Sequence, residues 1–159
     1  MRKIVLLFLL TIFFSCSKDD SGSGETFLKR FDKVGFVETG TQYPSYFFFY
    51  DSSIFIKNPV YDDFLEEYDC QEISEGTNDT FLGESTVKII ENNYSTLKIE
   101  STIIGITAIV EFTIDSQGNS LTVVQEALGE KETFDYFIID DPVGTDQEYS
   151  KICDGTIFN

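Results

Sequence analysis

The sequence predicts an all-β domain, an antiparallel up-and-down meander or barrel of about eight to ten short strands, with a β-sandwich as the alternative. Three observations carry this. From Thr26 onward no stretch holds the apolar period of a long helix. Short runs of β-branched and aromatic residues are instead broken repeatedly by Asn, Gly, Asp and Ser. In "YSTLKIESTII", Leu97, Ile99 and Ser101 alternate with Thr96, Lys98 and Glu100, the pattern of a strand with one dry and one wet face.

The first runs are 34–38, 46–50 and 54–57. Within "YPSYFFFYDSSIF" the alternation puts Phe47 and Phe49 on one face and Tyr46, Phe48 and Tyr50 on the other. In a barrel, Phe47 and Phe49 are candidates to line a cavity for a small apolar ligand; ordinary core packing is the competing fate, and an outward-facing set would mark a partner surface. "NPVYDDFLEEYDC" carries a helix signature, since Asn58 can cap, Pro59 suits a first turn, and Tyr61, Phe64, Leu65 and Tyr68 share a face. A strand and loop is the other reading of that stretch. Runs at 70–74 and 86–90 come next. "GITAIVEFTIDSQGNSLTVVQEAL" then reads as a hairpin with arms 106–114 and 121–128 about a turn at 115–119, where Gly118 supplies a positive φ. The last runs, 134–139 and 149–153, also read as strands. Between them "DDPVGTDQE", with Asp140, Asp141, Asp146 and Glu148, matches no calcium-binding loop and reads as a solvated turn.

The order "YDCQEISEGT", "STVKIIENNYSTLKIE", "AIVEFTIDSQGNSLTVVQE" resembles the small lipocalin-like barrels of Bacteroidota lipoproteins, in which a cysteine-bearing strand leads through an "EGT" turn into a meander. The resemblance spans residues 36–140 and implies a barrel fold. The Gly-x-Trp that marks lipocalins is absent; Gly35, Phe36 and Val37 stand at the equivalent place.

The N-terminus has a separate character. Arg2 and Lys3 precede an apolar run at 4–14, interrupted only by Thr11, which is the anatomy of an export signal. A spanning helix needs about 20 apolar residues, so this run is too short to remain as one. Ser15 and Cys16 resemble a bacterial lipobox, in which a small residue precedes a cysteine that is acylated before cleavage, although Phe13 and Phe14 depart from the usual residues there. That resemblance implies a diacylglycerol on Cys16 and a further acyl chain on the new N-terminus. Several chains at about 0.8 kcal/mol per buried CH2 make a stable anchor that does not span the bilayer. Behind it "SKDDSGSGE" reads as a polar tether, and Lys18, Asp19 and Asp20 resemble the surface-export signal of Bacteroidota lipoproteins. The expected organisation is a lipoprotein signal peptide over 1–15, a lipidated Cys16 and acidic tether over 16–25, and a single β-barrel domain over 26–159. The expected location is the outer membrane, lipid-anchored at the cell surface, with the periplasmic face as the alternative.

Composition narrows the function. The chain has 28 acidic against 11 basic residues, a net charge of -17. Without the first 15 residues the balance is 28 against 9, a net of -19. A phosphate backbone needs clustered cations, so nucleic acid is excluded as a partner. With no histidine, the commonest general base, hydroxyl activator and transition-metal ligand is missing, and the expectation is a non-catalytic protein without a cofactor or metal. Adjacent carboxylates such as Asp62 with Asp63 or Glu66 with Glu67 are too common in so acidic a chain to mark a glycosidase pair. Once Cys16 carries lipid, Cys70 and Cys153 are an even pair in an exported protein, which points to a disulfide, with two separate buried thiols as the alternative. The functional expectation is a cell-envelope binding module for a small apolar ligand; the alternative is a protein-interaction or accessory subunit of an outer-membrane complex.

Overall fold

Ten antiparallel strands follow one another up and down around a nearly closed sheet. The computed structural model describes residues 24–63, 65–80, 83–139 and 145–153; the expected signal peptide at 1–15 and Cys16 lie outside them. In order the elements are α1 (Phe27–Arg30), β1 (Val34–Glu38), β2 (Tyr46–Phe49), β3 (Ile54–Asp62), β4 (Glu67–Ser74), β5 (Gly76–Thr80), β6 (Gly83–Asn92), β7 (Thr96–Ile103), β8 (Ile106–Ile114), β9 (Ser120–Ala127), β10 (Glu130–Ile138) and α2 (Thr145–Cys153). One sheet holds all ten strands, which makes the architecture a barrel-like meander and not a two-sheet sandwich.

Each strand pairs with its sequence neighbour except at one seam. β1 closes the ring onto β10 with Phe36 opposite Ile138, and β4 and β5 are the ends of the sheet. Side chains stitch the lower part of that seam. Ser74 donates both its N–H (2.7 Å) and its hydroxyl (3.0 Å) to Asn78 Oδ1, and Asn78 Nδ2 donates back to the Ser74 carbonyl at 2.8 Å. Glu75, between the two strands, accepts the Ile89 N–H at the bulge of β6. β5 itself is short and polar, which discourages edge-to-edge association. It lies in a stretch where no strand was expected, because "GTNDT" lacks β-branched alternation.

The alternation predicted for β7 is present, and β8 and β9 form the predicted hairpin. Leu97, Ile99, Phe112, Ile114, Leu121 and Val123 point inward and are buried. The β8–β9 turn is held by Asp115, whose side chain accepts the Asn119 N–H at 2.9 Å, and Gly118 takes φ +81°. These backbone donors, Asn119 first, hold the Asp115 carboxyl below its ordinary value.

One end of the barrel is plugged. α1, which the sequence pattern does not announce, is capped by the Thr26 hydroxyl on the Lys29 N–H and by Asn92 Oδ1 on the Leu28 N–H. Phe27, Leu28 and Phe31 are buried against Phe36 and Phe49, with the Phe27 and Phe49 ring centroids 5.1 Å apart. A four-residue helix is not stable alone, whereas burying three such side chains contributes roughly 5–9 kcal/mol as an upper bound, so burial drives its formation. Arg30 fastens the plug from outside. Its guanidinium lies over the Tyr94 ring at 4.1 Å and donates to the Tyr94 carbonyl.

Two expected elements are different. The helix expected within 58–70 is instead the β3–β4 hairpin. The seven-residue separation that places Tyr61 and Tyr68 on one helix face also makes them a cross-strand pair, with ring centroids 5.3 Å apart. Pro59 is tolerated because Asn58 substitutes for its missing N–H. Continuing the β2–β3 register sets Pro59 opposite Tyr46, and Asn58 Nδ2 donates to the Tyr46 carbonyl at 2.6 Å.

The strand expected at 149–153 is the end of α2. Tyr149, Ile152 and Cys153 share a helical face and pack on the outside of β2 to β4, against Tyr46, Phe48, Tyr50 and Tyr68. Cys70 and Cys153 form the predicted disulfide, with sulfurs 1.99 Å apart, fastening α2 to β4. Phe48, fully buried under α2, leaves no room beside it; a Cβ on Gly35 would stand 2.8 Å from its ring. Asp140 and Asp141, from the turn read before α2, lie outside the described residues.

Candidate binding cavity

Above the plug the barrel is hollow. A cavity of about 560 Å3 occupies the half of the barrel away from α1. That volume is within the roughly 300–1,000 Å3 of small-molecule sites. Its floor and walls are apolar, formed by Phe47 on β2, Ile73 on β4, Val87 on β6, Ile99 on β7, Phe112 on β8 and Phe134 on β10. Below them Phe49, Leu97 and Leu121 are fully buried with α1 and close the bottom.

The predicted pair is therefore divided by depth. Phe47 lines the cavity, its ring 5.1 Å from Phe112 and 5.0 Å from Tyr136. Phe49 shares the face but lies in the packed layer, 5.1 Å from Phe27 and 5.4 Å from Phe112. Phe48, on the opposite face, belongs to the outer cluster beneath α2, as the alternation requires.

The wall also carries polar groups that the sequence pattern did not single out. Glu38, Ser45 and Tyr136 gather on β1, the β1–β2 loop and β10; Asn58 and Gln71 face one another across β3 and β4; Ser101 and Gln125 complete the set. Glu38 Oε2 accepts the Ser45 N–H at 3.2 Å. Burial is the main reason the Tyr136 hydroxyl is held neutral well above its ordinary range; the Glu38 carboxylate adds to the rise, and hydrogen bonding from Ser45 works against it. The signal for these residues was present as interruptions. Glu38 follows Phe36, and Gln125 follows Val123, at inward positions where an apolar residue would otherwise be expected.

The two ends of the barrel differ. Turns at the closed end are polar, with Asp51, Ser52 and Ser53 in one and 115–119 in another. Tips at the open end expose large apolar side chains: Leu65 after β3, Ile104 after β7 and Leu128 after β9. Ile104 and Leu128 are 72% and 80% exposed, and both sit at positive φ (50° and 54°) in two-residue turns completed by Gly105 and Gly129. Asn, Asp or Gly would be the economical residue at such a position.

The described chain defines a class: a hollow antiparallel barrel, stoppered at one end and open at the other, with an apolar chamber that holds a few polar groups. In comparisons with protein-family models, curated proteins and solved structures, nothing matches this chain.

Proposed function

We propose that this protein is a non-catalytic binding module of the cell envelope, of lipocalin-like type, which takes a small apolar ligand into the barrel. The observation that carries the reading is the chamber itself. Apolar side chains that would ordinarily interdigitate leave about 560 Å3 between them, with one end closed by Phe27, Leu28 and Phe31. The lipobox resemblance at Cys16 and the export-type start support a lipid anchor at the outer membrane, facing the cell surface. Native mass spectrometry of the protein purified from its own host is expected to show a retained small molecule. Protein that is uniformly empty, and that does not bind an apolar fluorescent probe, would overturn the reading. Anchoring is tested separately by labelled palmitate; incorporation unchanged after Cys16→Ala refutes it.

A second reading, a protein-interaction or accessory subunit of an outer-membrane complex, is favoured by the exposed Leu65, Ile104 and Leu128 tips. Crosslinking in intact cells would yield one dominant partner, lost on Ile104→Asn with Leu128→Asn. A partner that persists in that double variant counts against these tips as the contact.

A further inference from the structure

The polar groups of the chamber are not evenly charged. Among its lining residues are one carboxylate, from Glu38, and three carboxamides, from Asn58, Gln71 and Gln125, but no lysine or arginine. The strands segregate their charges by face. Lys57, Lys88, Lys98 and Lys131 each stand an odd number of positions from a lining residue of the same strand (Asn58, Val87, Ile99 and Phe134), and so face outward. Two of them are engaged there, Lys57 with Glu72 at 3.3 Å and Lys98 with Glu111 at 2.9 Å. On the inward face, Glu130 and Glu132 continue the alternation of Phe134 and Tyr136 toward the mouth, and Asp69 continues that of Gln71 and Ile73.

Glu38 is placed to act on a ligand. It is half-buried at the upper end of β1, opposite Tyr136, and one of its oxygens is used by the Ser45 N–H. Its Oε1 has no hydrogen-bond or ion-pair partner among the described residues. A carboxylate at an apolar wall favours a positive donor and opposes a second anion, and low-dielectric surroundings strengthen both effects. A chamber meant for a fatty-acid anion would put a cation at this place.

We infer that the chamber's ligand is an apolar amine, its ammonium on Glu38 at the upper wall and its hydrocarbon against Phe47, Ile99 and Phe112 below. This rests on the reading that the chamber binds a ligand at all. An ammonium brings charge-assisted donors to Glu38 Oε1, while the chain's negative field concentrates cations at the mouth.

The test compares three ligands of one chain length, dodecylamine, dodecanol and dodecanoate, below their micellar concentrations, by displacement of an apolar fluorescent probe from the full chain. The amine is expected to bind at least about tenfold more tightly than dodecanoate, close to 1.4 kcal/mol. Glu38→Gln keeps an acceptor for the Ser45 N–H and should remove the amine's advantage over dodecanol measured on the same variant. Equal affinity for amine and carboxylate overturns the inference while the chamber reading stands. An amine preference that survives Glu38→Gln also overturns it, because it would come from the acidic outer surface. Absence of binding by all three, dodecanol included, removes the chamber reading and this inference with it.

Discussion

Phe47 and Phe49 look equivalent in sequence and should behave differently when truncated. Phe49 is fully buried, with neighbours at 5.1 Å (Phe27), 5.4 Å (Phe112) and 5.9 Å (Phe36), and its removal leaves a void inside a packed layer. Phe49→Ala is expected to cost about 3–5 kcal/mol, the range for deleting a fully packed phenylalanine. Phe47 is only half-buried and borders space that is already empty. Part of its transfer free energy is therefore absent, and truncation enlarges an existing cavity. Phe47→Ala is expected to cost about 1–2 kcal/mol. With an unfolding entropy of about 2.1 cal/mol/K per residue over the 134-residue domain, these become Tm losses of about 11–18 °C and about 4–7 °C. Thermal unfolding by circular dichroism at one heating rate measures both, and probe binding provides the second axis. Phe47→Ala should weaken apolar-probe binding more than it weakens the fold. Equal Tm losses, or the larger loss at Phe47, would refute the division between a packed floor and a hollow chamber.

Three further outcomes can be measured. Ile104→Asn and Leu128→Asn relieve a branched or bulky residue at positive φ, and each should raise the urea midpoint by the equivalent of about 0.5–1 kcal/mol; an unchanged midpoint would mean that the apolar side chain offsets its backbone strain. Cys153→Ser removes a crosslink between residues separated by 83 in sequence, for which loop entropy sets an upper estimate of about 4.5 kcal/mol; a loss below about 1 kcal/mol in denaturant unfolding would show that α2 docks by packing alone. Burial, reinforced by Tyr46, pushes the Tyr68 hydroxyl up to about 12 from its ordinary 10.0, so the folded form keeps a proton that the unfolded chain releases. Its contribution to stability is full below pH 10 and is lost as pH rises toward 12, which unfolding at pH 9 and 11.5 will register; a slope in that window unchanged by Tyr68→Phe would discount Tyr68 as its source.

The legible part of the fold is where one rule acts alone. β7 to β9 pair in simple register and need only period two to be read, even with Ser101 and Gln125 as polar residues on the inner face. Reading fails where two periods coincide. Tyr61 and Tyr68 satisfy a helix face and a hairpin pair equally, and only the register of β3 with β4 decides between them. At 149–153 a short β-like run becomes helix because Tyr149 and Ile152 gain a ready-made aromatic surface on the outside of β2 to β4, a tertiary effect that no local pattern announces. The chamber is legible only in its apolar half. Phe47 stands out by composition, whereas Asn58 and Gln71 acquire meaning once the β3–β4 pairing puts them side by side on the wall.

The barrel is hollow at one end only because the side chains inside it differ in size along its axis. Phe27, Phe31, Phe36 and Phe49 crowd the closed half, while Val87, Ala108 and Val110 are among the smaller side chains that line the open half. A barrel of fixed circumference filled with small side chains retains space at its centre, so the gradient of side-chain size along the axis sets where the chamber begins. Thr26 enters at the closed end, and on the proposed anchoring the tether of 16–25 reaches at most about 36 Å when fully extended. The tether's attachment at Thr26 and the mouth are then at opposite ends of the domain. A ligand would come to the barrel from the side away from its own attachment point, past Ile104 and Leu128, whose exposed apolar tips give it a first contact before Glu38 does.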